Sequence, residues 1–465
     1  MNDITVAIIG GGPAGLSAAR VLAENQVSCL LLDEQASLGG QIYRGIEHVS
    51  QQYAGRAEKL GADYLHGLAL TQGLPEKHLQ RVLNAKVWSV NTSGQIVYSV
   101  GAQSYQVKAK YVVLATGAQE RPFAFPGWTL PGVMTAGAAQ ILLKAHGVAV
   151  KNSVLIGNGP LLYLLASQLL AFGHPPQAIV ETQAKNAWKN ALPHLPNAML
   201  YGSSYLWKGI KMLALIKKAG IQHYTKACDI HAIGVESLQQ IRFQQGGKTH
   251  TLNTQNALIH QGVIPNTQIS RALNLQHFWS EQQQTWLPVT HQSGESSLEN
   301  IYIAGDGASI GGATVARFSG EQVALQLLKK MGVFTQTQYN SRARPLNKQL
   351  RVELAVRPFL DYRYAPDNRT MLNNSSTLVC RCEEVSVGQL REHARQGCLG
   401  LNQTKTFSRC GMGPCQGRQC GVNAALVLAD ERKLSPDKID YYRIRPVIKP
   451  VTLAEVASLA KEETN

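Results

Sequence analysis

Two groups of residues in this chain of 465 have the types and spacing that chemistry requires. The first is Gly10, Gly12 and Gly15, a G-x-G-x-x-G run completed by Pro13 and Ala14. The first glycine permits a tight turn, the second lets backbone approach a pyrophosphate, and the third lets a helix pack closely on a strand. The second group is cysteines. Five of the chain's eight lie in CRCEEV at 380–385 and RCGMGPCQGRQCG at 409–421. Cys380 and Cys382 are two apart in an extended run, so both thiolates reach one metal. Cys415 and Cys420 precede GVNAALVLADE, and thiolates near a helix N-terminus are favoured by its dipole. Four soft thiolates suit a [2Fe–2S] cluster or zinc, and five cysteines leave one to spare.

The glycine run needs a strand before it and a helix after it. ITVAII is a short apolar strand, LSAARVLAENQ has helical periodicity, and VSCLLLDEQ is a second strand, which together predict a βαβ unit and a parallel sheet. Asp33 ends that second strand 18 residues after Gly15, where a carboxylate bonds a ribose hydroxyl; Glu34 beside it could take the role. Gly40 and Gln41, in LGGQIYRG, supply a second close backbone approach. YVVLATGAQ ends a strand at Ala115, Thr116 and Gly117, and IYIAGDGA ends another at Gly305 and Asp306. Val87, in AKVWSV, is grouped with these cofactor contacts.

A second βαβ unit runs from NSVLIGNGP to AIVET. Gly157 and Gly159 are present, but Leu162 replaces the third small residue. Two readings stand: an NAD(P)H site, against which Leu162 weighs, and a retained structural domain. Between 331 and 379 the periodicity weakens, as in a connecting segment with some helix. Ser386 is placed to cap a helix VGQLREHARQ, with Gln389 at the capping-box position and Gly397 as its stop. His223 and His260 read as isolated surface or structural histidines, and no catalytic constellation is legible.

The ordered set GGGPAG, LGGQ, ATG, GVIPNT and GD resembles the two-dinucleotide-binding flavoproteins of the pyridine nucleotide-disulfide oxidoreductase superfamily over roughly residues 3–330. The resemblance implies FAD, with Asp306 near the ribityl chain and pyrophosphate. No cysteine follows LGGQ and the second unit has no C-x-x-C, so disulfide reductase activity is not expected. The cysteine region resembles the bacterioferritin-associated-ferredoxin type of [2Fe–2S] domain, whose C-x-C is followed after about thirty residues by a second close pair. From Cys382 to Cys415 there are 32 intervening residues, which implies Cys380, Cys382, Cys415 and Cys420 as ligands and Cys410 as the spare.

Taken whole, the chain resembles the FAD subunits of opine oxidases, D-hydroxyproline dehydrogenases and hydrogen cyanide synthase. That implies an FAD and [2Fe–2S] electron-transfer subunit of a heteromeric enzyme oxidising a C–N bond of an amino acid, imino acid or opine. The partners it implies are a flavoprotein with a D-amino-acid-oxidase-like fold and a small ferredoxin-like subunit. The alternatives are a self-sufficient NAD(P)H-dependent flavin reductase and a glycine-oxidising subunit of the hydrogen cyanide synthase kind.

The expected fold is α/β: two Rossmann-like, glutathione-reductase-like units plus a small α-rich iron–sulfur domain. The expected boundaries are 1–145 (FAD unit), 146–265 (second Rossmann-like unit), 266–330 (return to the FAD unit), 331–379 (connector), 380–440 (cluster domain) and 441–465 (tail). Composition agrees with a globular chain, 44% hydrophobic and 16% charged. The most apolar stretch, LPGVMTAGAAQILLKAHGVAV, is broken by Lys144 and His146, so no membrane span is expected. The net charge of +15 is scattered, without a recognition helix or RNA-binding motif, so no nucleic-acid partner is expected. No signal peptide is legible and the cysteines cluster, which points to the cytoplasm.

Overall fold

The computed structural model describes residues 3–462. Its first sheet is built on strand Gln103–Leu114, twelve residues long. The second half of that strand pairs in parallel with Asp3–Ile9 on one side and Ile301–Ile303 on the other. The first half pairs antiparallel with Gln95–Val100, which pairs with Lys86–Val90. Beyond Asp3–Ile9 lie Cys29–Leu32 and then Leu79–Val82, both parallel. Parallel strands covered on both faces read as continuous apolar runs, and CLLL and IYI are buried throughout.

The second sheet has seven strands. Ser153–Asn158 lies inside it, between Ala178–Thr182 and Asn256–Gln261, all parallel. Two short strands, Ala118–Glu120 and Val263–Pro265, pair antiparallel where the chain crosses between the sheets. The fold is thus mixed α/β with two Rossmann-like sheets. Helix Ala313–Lys330 returns the chain to the first sheet and packs on helix Pro13–Glu24.

Residues 331–379 carry three helices, Gln336–Leu354, Arg357–Arg363 and Arg369–Leu372. The cysteine region follows: a ribbon of Leu378–Cys380 and Val385–Ser386, then helices Val387–Arg395, Leu401–Ser408 and Gly421–Arg432. Both halves of the capping box at Ser386 and Gln389 are formed. The tail then doubles back onto the first sheet. Ile448 N–H donates to Trp88 O at 3.0 Å, and Lys86 pairs with Glu455 at 2.7 Å. Among the described residues no helix is long and apolar enough to cross a membrane.

Candidate functional site

The glycine loop joins strand Asp3–Ile9 to helix Pro13–Glu24. At Gly10, with φ +116°, an added Cβ would collide with the Ala115 carbonyl, and at Gly15 with that of Gly10. These two glycines are demanded by the protein itself. Gly12 differs: its φ of −84° and ψ of −174° suit any residue, and an added Cβ would find only Gly40 Cα, at 3.7 Å. The space over Gly12 is a cradle at a helix N-terminus, bounded by Gly40, and the first turn of that helix carries no acid. Such a place suits a pyrophosphate.

The two candidate ribose acids part company. Asp33 is buried; its Oδ1 accepts from Gln35 N–H at 2.7 Å and its Oδ2 accepts from Gly11 N–H. Burial pushes its carboxyl above the ordinary range, opposed by those two N–H donors. Asp33 therefore braces the loop from beneath. Glu34 is exposed and forms an ion pair with Lys449 of the tail. Val87 lies buried in strand Lys86–Val90, a short way beyond Ala85, whose N–H donates to Asp33 O at 2.8 Å.

Asp306 Oδ1 accepts from Gly311 and Gly312 N–H at 2.9 and 3.0 Å, holding the turn into helix Ala313–Lys330. Gly305 N–H donates to Ser319 Oγ. Thr116 Oγ1 donates to Asn266 O at 3.1 Å, and Asn266 N–H donates to Gly117 O, so the ATG turn and GVIPNT are tied together. Gln41 accepts from Arg44 at 2.8 Å. Gly10, Gly12, Gly15, Gly40, Ala115 and Gly305 thus come together at the strand ends of the first sheet, while Asp33 lies beneath the loop and Glu34 faces the tail.

The five cysteines divide into a buried group of three, which includes Cys410, and a separate pair, Cys382 and Cys415. The sulfurs of Cys380, Cys410 and Cys420 lie within 4.8 Å of one another and all three residues are buried. Cys382 is exposed and half-buried Cys415 hydrogen-bonds to it through both its backbone and its side chain. Hydrogen bonds from the Cys410 and Cys420 thiols favour Cys380 as the thiolate. The Tyr442 hydroxyl donates to Cys410 Sγ at 3.1 Å. An added Cβ at Gly413 would collide with Cys382 Cβ, which is why the GMG turn can close over that cysteine. Cys420 is the N-cap residue of helix Gly421–Arg432, and Cys398 is buried apart from the group, donating to Gly400 O. A donor set of sulfur alone fits an iron–sulfur cluster or zinc.

The cysteine loop is fastened directly to the first sheet's trough. Gln119, two residues past Gly117, donates to Arg418 O at 3.0 Å, and Gln268 donates to Cys415 O at 3.2 Å. Beside these contacts Arg271 stacks on Tyr441, 3.6 Å from the ring centre.

The second glycine loop is occupied by the protein. Asn158, between Gly157 and Gly159, donates to Ala365 O at 2.8 Å. Glu181, at the strand end where a nucleotide ribose would be read, accepts from Arg363 at 2.9 Å and contacts His223 at 3.1 Å. Tyr364 packs edge-on against Tyr163. Burial works against the Glu181 carboxylate, but His223 and Arg363 outweigh it and hold its pKa below the ordinary value. Leu162 is fully buried in the core behind the loop. His260 is also buried, with Nδ1 2.7 Å from Glu120 Oε1, while Glu120 Oε2 accepts from Gly137 N–H. Sequence reading missed both networks, because their members lie 140 and 182 residues apart.

Glu181 thus carries a testable load. Glu181→Gln should lower stability at neutral pH by about 2 kcal/mol, because partly buried Arg363 loses its carboxylate partner. The folded pKa of Glu181 is depressed, so its contribution is present above the unfolded value and is lost as pH falls through the folded one. Urea unfolding of wild type and variant should therefore converge in acid.

A sheet trough for a dinucleotide, a second Rossmann-like sheet and a sulfur-lined loop define a class before any particular relative. The chain belongs to the pyridine nucleotide-disulphide oxidoreductase family, whose profile matches residues 4–320, and it is an FAD-dependent oxidoreductase. Residues 374–460 match the sarcosine oxidase A3 domain. Within the family the chain is similar to an opine oxidase subunit of Rhizobium meliloti (strain 1021), 38% identical over 464 residues and 98% of each chain. It is also similar to the HcnB subunit of hydrogen cyanide synthase from Pseudomonas protegens, 32% identical over 428 residues and 89% of each chain. The solved L-proline dehydrogenase of P. horikoshii shares the fold, with a TM-score of 0.72 and 21% identity over 98% of this chain and 79% of that one.

Proposed function

We propose that this chain is the FAD- and [2Fe–2S]-containing electron-transfer subunit of a heteromeric, cytoplasmic dehydrogenase that oxidises a C–N bond of an amino acid, imino acid or opine. The observation that carries this reading is the joining of the two sites: Gln119 and Gln268 tether the cysteine loop to the trough beside Gly117. When bound, FAD takes two electrons at once and the cluster passes them singly.

In this reading Gly12 and Gly40 admit the pyrophosphate, Glu34 reads the ribose while Asp33 holds the loop, and Asp306 positions the turn beside the ribityl chain. Cys380, Cys382, Cys415 and Cys420 hold the cluster. Cys410 is the spare, kept by Tyr442. The names of the relatives, subunits of opine oxidase and of hydrogen cyanide synthase, support the C–N substrate class and a heteromeric assembly. We assign the oxidation itself to a D-amino-acid-oxidase-like flavoprotein partner, with a small ferredoxin-like subunit beside it.

The test is to purify the tagged chain from its native cell and offer an opine, D-hydroxyproline, D-amino acids and glycine with a dye acceptor. Turnover by the assembly, and none by the isolated chain, is expected. Full activity of the chain alone would overturn the reading, and glycine as the preferred donor would select the cyanide-synthase variant of it. The self-sufficient reductase is opposed by segment 363–369, which lies across the second glycine loop. Anaerobic NADH or NADPH should leave the flavin absorbance unchanged.

A further inference from the structure

The outer face of the second unit carries an uncovered apolar patch next to a cationic groove. Segment 187–218 holds five lysines and no aspartate or glutamate. Its helices Leu195–Tyr201 and Ser203–Lys218 leave Met199, Leu200, Trp207 and Ile210 exposed by 61, 70, 58 and 55%. Large apolar side chains this exposed and this close together mark a contact surface rather than ordinary surface. Beside them lies a groove of about 510 Å³ between Tyr201 and helix Gln336–Leu354, lined by Arg344, Lys348 and Arg351, with no acid on its walls.

The patch borders the flavin trough. Tyr205, on the same helix, donates to Glu353 at 2.6 Å and also bonds the Thr314 side chain. Thr314 is in the first turn of helix Ala313–Lys330, directly after the glycines that Asp306 holds. Whatever covers the patch therefore sits close to the start of helix Ala313–Lys330 and the glycine turn that Asp306 holds.

We propose that this face is the docking surface for the amine-oxidising partner, which presents an apolar projection flanked by aspartates and glutamates; the inference rests on the heteromeric reading above. Charge complementarity selects an acidic rim, since the groove has cations and no acid on its walls. The groove selects a protein projection over a flat bilayer. Aromatic, Met and Arg residues are the types enriched at protein interfaces.

The test is purification of the heteromer through a tag on this chain, as wild type, as Leu200→Asp with Trp207→Asp, and as Arg344→Glu with Lys348→Glu. Both pairs of substitutions should lower the yield of co-purifying flavoprotein at least tenfold while the chain keeps its FAD, and added salt should weaken the wild-type assembly. Retention of the partner by both variants in wild-type proportion would overturn this surface and leave the heteromeric reading intact. If wild type brings down no second flavoprotein, the heteromeric reading falls and the surface proposal with it. Sedimentation of the wild-type chain with phosphatidylglycerol vesicles, lost in Leu200→Asp with Trp207→Asp, would overturn the proposal in favour of a membrane contact. A wild-type dimer made monomeric by the same substitutions would overturn it in favour of self-association.

Discussion

Gly12→Val should give a folded protein that binds no FAD. The Gly12 backbone is ordinary extended chain, and the nearest atom to an added Cβ is Gly40 Cα at 3.7 Å, so the protein has little to resist the substitution. What the valine fills is the approach to the free N–H groups at the start of helix Pro13–Glu24. A ligand pyrophosphate loses its close contact with backbone and its place at the positive end of the helix dipole. Affinity should fall by at least about a hundredfold, about 3 kcal/mol. The measurement is flavin released per chain, alongside circular dichroism to establish that the chain is folded. Gly10→Ala and Gly15→Ala should behave differently, unfolding the first unit outright, because their Cβ atoms run into backbone carbonyls. FAD retained by a folded Gly12→Val protein would remove the cradle from the site.

Cys380→Ser should remove the cluster and leave the flavin. Cys380 is fully buried, and its sulfur shares a small space with Cys410 and Cys420. A neutral hydroxyl replaces a thiolate that neighbouring hydrogen bonds favour, so one iron loses its thiolate ligand. Iron and acid-labile sulfide should drop from about two each per chain to near zero, with FAD content unchanged. Cys410→Ser should keep both, and Cys415→Ser should lose both. The reverse pattern for those last two would make Cys410 the ligand. In that case Tyr442 would be a hydrogen-bond donor to a cluster sulfur rather than the keeper of a spare thiol.

The parts legible in sequence were those in which distance along the chain sets distance in space. A strand, three glycines and a helix make a tight turn within one short stretch; C-x-C settles less, since Cys380 joins Cys410 and Cys420 while exposed Cys382 bonds Cys415. The helix after Ser386 announced itself by its capping box, formed as read. The segment 331–379 was harder, because polar helix Gln336–Leu354 has a proline inside it and shows little apolar periodicity.

Sequence by itself determined that this chain builds an α/β flavoprotein trough and carries a thiol cluster, since both signatures are local and depend on side-chain size or sulfur chemistry. Only the tertiary structure decided how neighbours in sequence divide their work. Asp33 turns inward to Gly11 and Glu34 outward to Lys449, because one end of a strand faces the core and the next residue faces solvent. It alone set Arg363 on Glu181 across the second glycine loop, and it alone placed Cys410 beside Cys380 and Cys420. Those contacts join residues far apart along the chain. They exist because burial of the surrounding apolar surface brings the segments together, and no spacing rule encodes them.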